Sequence, residues 1–505
     1  MALINSVLSW LMKKRFHQIE LFMKYPHEVQ SEWLKRLISS AGNTEWGIKY
    51  EYKSINNPEI FRERIPINDY ESMKPFIARL RRGEQNILWH SEIKLFAKSS
   101  GTTSDRSKYI PVSQEALEEC HYKGGKDMLS IYCSNHPETL LFDGRGLAMG
   151  GSHNITEINN EIYYDGDLSA LIVQNLPYWA EFIRVPKKSV ALMDEWEKKI
   201  EKMATDTIDH NVTNILGVPS WTLLLLRRIL EITGKKNIME VWPNLEVFFH
   251  GGVKFSPYRK QFDDIISNPG MNYMDTYNAS EGFFGLQDRT DSEDLLLMLD
   301  YGIYYEFIPM DSFHDDQPKT LLLNEVEKGV NYAMVISTNG GLWRYVVGDT
   351  IRFTSLVPFR FTFTGRTKNF INAVGEEVIE DNALKALSIA CEKCKAEISE
   401  FTAAPIYFQN DTDTISHEWL IEFERSPDTI DYFSETLDNA LKSINSDYEA
   451  KRYHNMVLSP PIVREMPRNT FYRWLKRKNK LGGQYKVPRL SNERKYVDEI
   501  LEMVD

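Results

Sequence analysis

Five short strings hold the side chains on which chemistry could be built. The first, SSGTTSDRSK (99–108), is dense in hydroxyls around Gly101 and ends in Lys108. A glycine-centred turn can point successive backbone N–H groups inward, and hydroxyls add donors, which makes a concavity for phosphate oxygens. The string lacks G-x-x-x-x-G-K-[ST], so it is not a Walker loop; alone, it reads equally as a surface turn. The second is MDTYNASEGFFG (274–285): Tyr277 offers a flat face for a purine, Ser280 a hydroxyl, and Glu281 a hard carboxylate suited to Mg²⁺ shared with phosphates. Its plainer reading is a strand running into a helix cap. In GGLWRYVVGDTIRF (340–353), Asp349 follows a glycine and fits a ribose diol with both carboxylate oxygens, although Gly-Asp is also ordinary turn chemistry. FTFTGRTKNFINAVGEEVIE (361–380) brings Arg366 and Lys368 to a change in sequence texture. Finally, GGQYKVPR (482–489) sets Lys486 on a glycine loop whose exit Pro488 stiffens.

Other arrangements fit less well. Cys391-x-x-Cys394 matches a zinc or redox pair, but it has no second pair and lies inside a helical pattern. Gly150-Gly151-Ser152-His153-Asn154 lacks the closing glycine of a nucleophile elbow. His250 beside Gly251-Gly252 reads as a pocket residue or as a satisfied core histidine, and Asp143-Gly144-Arg145 as a turn or a contact for a substrate carboxylate.

The elements that must position these groups follow from periodicity. The first ninety residues read as helices broken by turns, and IPINDYESMKPFIARLRRGE as a loop entering an amphipathic helix. A turn-rich stretch covers 97–113, and a helix begins at Gln114. Between about 210 and 310, the runs LEVFFHGG, YMDTYNASEGFFG and GIYYEFIP alternate with helices such as WTLLLLRRILEITGKK, the pattern of an α/β layer architecture. From 318 to 365 the strings KTLLLNEV, NYAMVIST, WRYVVGD, IRFTSL and FRFTFTG predict closely spaced strands, a curved sheet or small β-barrel. Beyond Gly365, two helices (EDNALKALSIACEKCKAEI and DTIDYFSETLDNALKSINSDYEAKR) bracket the strands APIYFQ and HEWLIEFE. The expectation is an α/β protein with a large N-terminal domain, 1–365, and a small, mobile α+β domain, 366–505.

Composition narrows the function classes. With 505 residues, the chain has room for several domains, and 42% hydrophobic with 26% charged residues is ordinary globular usage. Sixty Lys and Arg against 72 Asp and Glu leave a net charge of −12. Duplex binding needs a dense positive surface, so nucleic acid is excluded as the main partner. Four cysteines cannot staple a chain this long, which points to a reducing compartment, the cytoplasm. The longest apolar stretch, Trp221–Leu226, stops at Arg227, far short of the about 20 residues that cross a bilayer. The N-terminal string MALINSVLSWLMKKRFHQIELFMKYP lacks a signal-peptide pattern and reads as an amphipathic helix packed on the core, with a membrane-surface helix as the alternative.

Taken in order and spacing, the five strings resemble the adenylate-forming superfamily of acyl-CoA synthetases, peptide-synthetase adenylation domains and luciferases. The closer resemblance is to the auxin-responsive Gretchen-Hagen-type acyl-acid amido synthetases, in particular their bacterial members. It is carried by PINDYESMKPFIARLRRGEQNILW, AKSSGTTSDRSKYIPVS, LGVPSW, WPNLEVFFHGG, TYNASEGFFG, GLWRYVVGD and GGQYKVPR.

The resemblance implies a role for each string. Ser99, Ser100, Gly101, Thr102 and Thr103 would wrap the ATP phosphates. Tyr277 and Ser280 would border the adenine, Glu281 would hold Mg²⁺, Asp349 would grip the ribose, and Arg366 would add a ribose or phosphate contact. Lys368 would mark a hinge, Lys486 would enter the site on the small domain, and Val218 and Pro219 would border the acyl group. The superfamily often has glycine and x-Pro-Lys after the Thr-Thr pair, whereas Ser104-Asp105-Arg106-Ser107 precede Lys108 here, so Lys108 is discounted as a phosphate ligand. The implied reaction is ATP-dependent adenylation of a small carboxylic acid and acyl transfer to an amino-acid amine, giving an amide, AMP and pyrophosphate. Thioester formation with coenzyme A and non-catalytic nucleotide binding are the alternatives.

Overall fold

The computed structural model describes Trp10 and residues 15–504, except 100–107, 152, 159–160, 177–180, 194, 253–254, 257, 314, 368–369, 372, 374–375, 377, 408–414, 453–457, 479 and 482–485. Its N-terminal part is helical, as the periodicity predicts. Asp69 caps the helix Tyr70–Leu80 in a reciprocal box with Ser72, and Tyr70, Met73, Ile77 and Leu80 form its buried stripe. Residues 15–24 are helical and packed inward, with Ile19 and Phe22 in the main core.

Arg15 ties that first helix down. Its guanidinium lies 2.7 Å from Asp127 and 3.0 Å from Asp300, and Tyr301 donates to the other Asp127 oxygen at 2.8 Å. The Asp127 side chain is fully buried, and removing one partner of a buried ion pair typically costs about 3 kcal/mol or more. Arg15→Ala should therefore lower the unfolding midpoint by several degrees. Arg36→Ala, which breaks the exposed pair with Glu32, should leave it within error in the same melts.

One eleven-stranded sheet organises the large region. Its parallel half runs, in spatial order, Arg184–Val185, Arg145–Ala148, Val212–Gly217, Val247–Gly251 and Asn272–Ala279. Its antiparallel half continues through Gly282–Gln287, Leu295–Leu297, Phe359–Arg366, Tyr345–Leu356, Asn331–Thr338 and Ile303–Pro309. The strands expected over 318–365 as a curved sheet or barrel are thus continuous with the α/β part, and their hydrogen-bonded order is open at both ends among the described residues. Two expected strands, WRYVVGD and IRFTSL, fuse into Tyr345–Leu356, whereas KTLLLNEV contributes only the bridge Leu321 to Phe307. Helices Trp196–Thr207 and Pro219–Thr233 cover the parallel half over a core that includes Trp242, Phe248 and Phe262.

The chain visits the two sides of Arg145–Ala148 in turn, with Arg184–Val185 on one flank and Val212–Gly217 on the other. Such a reversal opens a crevice outside the carboxyl ends of parallel strands. Separately, the strands Leu95–Ser99 and Lys108–Val112 pair antiparallel, with Ser99 opposite Lys108.

The C-terminal part has its own core, built around Leu387, Trp419 and Leu437. Helices Glu380–Cys394 and Ile430–Ile444 pack beside an antiparallel pair, Glu397–Tyr407 and Ile415–Arg425, with Ile462–Met466 added in parallel. Its sequence pattern predicted the pair but not the third strand, five residues with two exposed charges, Arg464 and Glu465. Toward the large region, Lys476 lies 2.6 Å from Glu197, Arg227 lies 3.5 Å from Glu424, and Lys260 pairs with Glu397. Among the described residues, no helix is long and apolar enough to cross a membrane.

Candidate active site

The strand Asn272–Ala279 returns as Gly282–Gln287 with Ala279 opposite Gly282, so Ser280 and Glu281 form a two-residue hairpin turn. This replaces the helix cap considered from sequence: the chain reverses into a partner strand instead of starting a helix. The Tyr277 ring sits edge-on to Phe284, Phe361 and Phe363 at 5.1, 6.0 and 5.7 Å. Its hydroxyl donates to Asp349 Oδ2 at 2.5 Å. Asp349 is in register with Arg366 on the neighbouring strand, and Arg366 Nε lies 3.2 Å from Asp349 Oδ1. Both oxygens of Asp349 are thereby aimed, and each keeps a lone pair for a further donor. Gly348, at φ +91°, makes the preceding bend, and its carbonyl accepts the Thr367 N–H at 2.9 Å. A side chain at 348 would strain the bend that presents Asp349.

Two titratable groups are strongly perturbed. Burial pushes the Glu281 carboxyl up to about 7; the Lys108 cation opposes this, while Asp349 adds to it. Burial also pushes the Lys486 ammonium down to about 8, helped by the Arg366 cation and opposed by Asp349 and Glu380. Groups from four of the five strings therefore feel one another's charge, and the fifth enters through Lys108. Lys486 Nζ donates to the Gly252 carbonyl. Gly252 has φ +80°, and a Cβ there would lie 3.5 Å from Val218 Cγ2 and 3.7 Å from Lys486 Nζ, so Val218 and Lys486 flank one glycine. Pro219 opens the helix that follows, and Ser280 is buried beside Glu281.

Ser99 ends its strand opposite Lys108. Ser100, Gly101, Thr102, Thr103 and Lys368 lie outside the described residues. His250 is buried, stacked on Phe255 at 4.1 Å with Nδ1 3.3 Å from Asp275, which makes it a packing residue under the Gly251–Gly252 turn. Cys391 and Cys394 are free thiols on one helix. Two contributors escaped the sequence reading. Glu380 starts the helix after the boundary, 3.2 Å from where a Gly365 Cβ would stand, and its charge acts on both Arg366 and Lys486. Leu216 is 42% exposed although it lies on an inner strand, at the crevice beside Ala148. The signal for Leu216 was the strand-to-proline step in LGVPSW.

Among the described residues there is no group of three or more His, Cys, Asp or Glu side chains able to hold a metal. Glu281 is a single carboxylate whose proton affinity is raised by burial, a donor that a cation would relieve. One carboxylate suits Mg²⁺, which keeps several waters and shares substrate phosphates, so the residues fit that ion.

On the nucleotide role expected from the sequence, Tyr277→Phe should weaken ATP binding by about tenfold in calorimetric titration. It removes a hydrogen bond to a charged group, typically about 1.5 kcal/mol or more, while sparing the Asp349–Arg366 pair.

Compared with solved structures, the chain superposes on GH3.15 acyl acid amido synthetase with a TM-score of 0.78, at 16% identity, covering 97% of this chain and 96% of that one. It also matches a 2-hydroxyisobutyryl-CoA ligase in the postadenylation state with R3-HIB-AMP, at a TM-score of 0.59 and 11% identity, over 94% and 91% of the two chains. The fold is therefore the one these two ligases share. Within it, three domains of one family match in chain order: the GH3 family N-terminal domain over 15–271, the central domain over 296–366 and the C-terminal domain over 381–495. The chain belongs to the GH3 family. Among its relatives, the probable indole-3-acetic acid-amido synthetase GH3.1 of Arabidopsis thaliana is 24% identical over 97% of this chain and 93% of its own length. The jasmonoyl–L-amino acid synthetase GH3.5 of Oryza sativa subsp. japonica is 23% identical over 95% of each.

Proposed function

We propose that this protein is an ATP-dependent acid–amino acid ligase of the cytoplasm that works through an acyl-adenylate. The observation that carries the reading is the convergence of Tyr277, Glu281, Asp349, Arg366 and Lys486, from four separate sequence strings, on one site. Amido synthetases among its relatives supply the reaction class.

A carboxylate oxygen attacks the α-phosphorus of ATP, the bond to the β-phosphate oxygen breaks, and pyrophosphate leaves. Asp349 and Arg366 hold the ribose, and Tyr277 and Ser280 border the base. The hydroxyl loop, Ser99 to Thr103, encloses the phosphates, and Lys486 offsets charge that builds on the α-phosphoryl group. Mg²⁺ held by Glu281 supplies further neutralisation when bound. An amino-acid nitrogen then attacks the acyl carbon, AMP leaves with the C–O electron pair, and the nitrogen sheds a proton. For the amine to reach the mixed anhydride, the small domain, 366–505, swings about Lys368 and withdraws Lys486. The crevice by Leu216, Val218 and Pro219 takes the apolar part of the acid.

Acid-dependent exchange of labelled pyrophosphate into ATP tests the first half-reaction; silence across a broad acid panel defeats the reading. Product masses from parallel mixtures with amino acids and with coenzyme A separate the amide from the thioester.

A further inference from the structure

The helix that follows the hydroxyl-rich loop breaks its own periodicity. Gln114–Ala116 and Lys123–Asn135 are α-helical, while Leu117–Tyr122 between them is a π-turn. Such turns interrupt regular bonding and gather at functional sites. Here the helix presses on the strand Gly282–Gln287. The Cys120 sulfur accepts the Phe283 N–H at 3.1 Å, and a Cβ on Gly124 would stand 2.5 Å from the Phe283 ring. The wider turn aims His121 past that contact at the next strand, where Nδ1 meets Asn278 Oδ1 at 3.2 Å.

His121 is only 5% exposed, and among the described residues its hydrogen bond to Asn278 engages Nδ1. Asn278 lies between Tyr277 and the Ser280–Glu281 turn, beyond the last residue that pairs with Gly251, on the same edge of the sheet as the proposed site. Successive strand residues face opposite ways, so Tyr277 and Asn278 address different sides of their strand. A base bordered by Tyr277 leaves His121 to meet the other reactant.

The chemistry of the ring decides which group it meets. Burial pushes its pKa down to about 4, only partly offset by Asn278, so the ring is neutral and is no counter-ion for a carboxylate. In the tautomer that lets Nδ1 donate to Asn278 Oδ1, Nε2 presents a lone pair. A buried acceptor disfavours ligands that leave it unpaired.

We propose that His121, oriented by Asn278, is a specificity-determining residue for the acid, its Nε2 accepting a hydrogen bond from a hydroxyl or N–H group on an otherwise apolar carboxylic acid. This rests on the adenylation reading above and goes beyond it by naming a feature of the acid.

The test is pyrophosphate exchange by the full chain with matched acids that differ only by hydroxyl or amino in place of methyl. In the wild type, the donor-bearing acid of a pair should be favoured by about tenfold or more in kcat/KM. His121→Phe should shrink that preference to within about threefold while exchange with the methyl acids persists; His121→Gln, which restores an acceptor, should recover part of it. Equal rates for both members of every pair, a preference for methyl, or an unchanged preference in His121→Phe would overturn the proposal and leave the ligase reading standing. Loss of exchange with every acid in both variants, with ATP binding intact, would make His121 a structural residue and overturn it too. A preference confined to the amide-forming step would assign the lone pair to the amine and also overturn it. A wild type silent with all acids defeats the ligase reading and, with it, this proposal.

Discussion

Lys486→Ala should slow acid adenylation by about a hundredfold or more while changing ATP affinity by less than about threefold. The asymmetry follows from where the ammonium sits before reaction. Its Nζ already donates to the Gly252 carbonyl, and Arg366 and burial hold its pKa down to about 8. Exchanging that carbonyl for a phosphate oxygen in the ground state gains little. In the transition state, negative charge builds on the oxygens of the α-phosphoryl group, and only then is the cation worth more than the bond it gave up. Single-turnover formation of acyl-adenylate gives the rate, and equilibrium titration gives the affinity. Equal losses in both would mean that Lys486 binds ATP without serving the chemical step. Lys486→Arg should retain part of the rate and move the alkaline limb of the pH profile upward, because guanidinium does not release its proton there.

The Lys486 string stood out because it is local, two glycines, a lysine and a proline describing a loop that carries a cation, but only the family resemblance gave that cation a place in a site. The same holds for Asp349 behind Gly348, whereas Tyr277 and Glu281 stood out as residue types although their hairpin did not. What a string cannot disclose is its partner. The Tyr277 hydroxyl finds Asp349 across 72 residues, through two strands that are not neighbours in the sheet. Burial decides the titration of Glu281, and nothing beside it in sequence signals that burial. Glu380 reads as an ordinary acidic helix start, and only the packing of its helix against Gly365 turns it toward Arg366 and Lys486.

The fold was legible to a similar depth. Runs of β-forming residues located most strands between 247 and 366, whereas those before 247, such as Arg145–Ala148 and Val212–Gly217, were not read from the sequence. Pairing partners were less accessible. The antiparallel strands after 303 look self-sufficient in sequence, yet Leu295–Leu297 joins them to the parallel half through pairing with Phe359–Arg366. The π-turn at Leu117–Tyr122 left no trace, because its stripe is interrupted by contact with Phe283 and not by a glycine or proline of its own.

Glu281→Gln should cost about a hundredfold in adenylation and, more tellingly, erase the acid limb of its pH profile. In the free protein, the carboxyl titrates near 7, so it is neutral below that pH and charged above it. Lys486 works in the other direction, cationic below about 8 and neutral above. The competent pair, carboxylate with ammonium, is therefore most populated between about 7 and 8, and kcat/KM should follow a narrow bell across that window. A divalent cation on Glu281 favours its charged form, so raising Mg²⁺ should carry the acid limb downward and leave the alkaline limb in place. Glutamine has no proton to lose and no charge to offer the ion. The variant should keep the limb set by Lys486, lose the other, and no longer respond to Mg²⁺ through a shift in pH dependence. An acid limb that survives the substitution, or that stays fixed as Mg²⁺ is varied in the wild type, would place the titrating group and the metal contact elsewhere than Glu281.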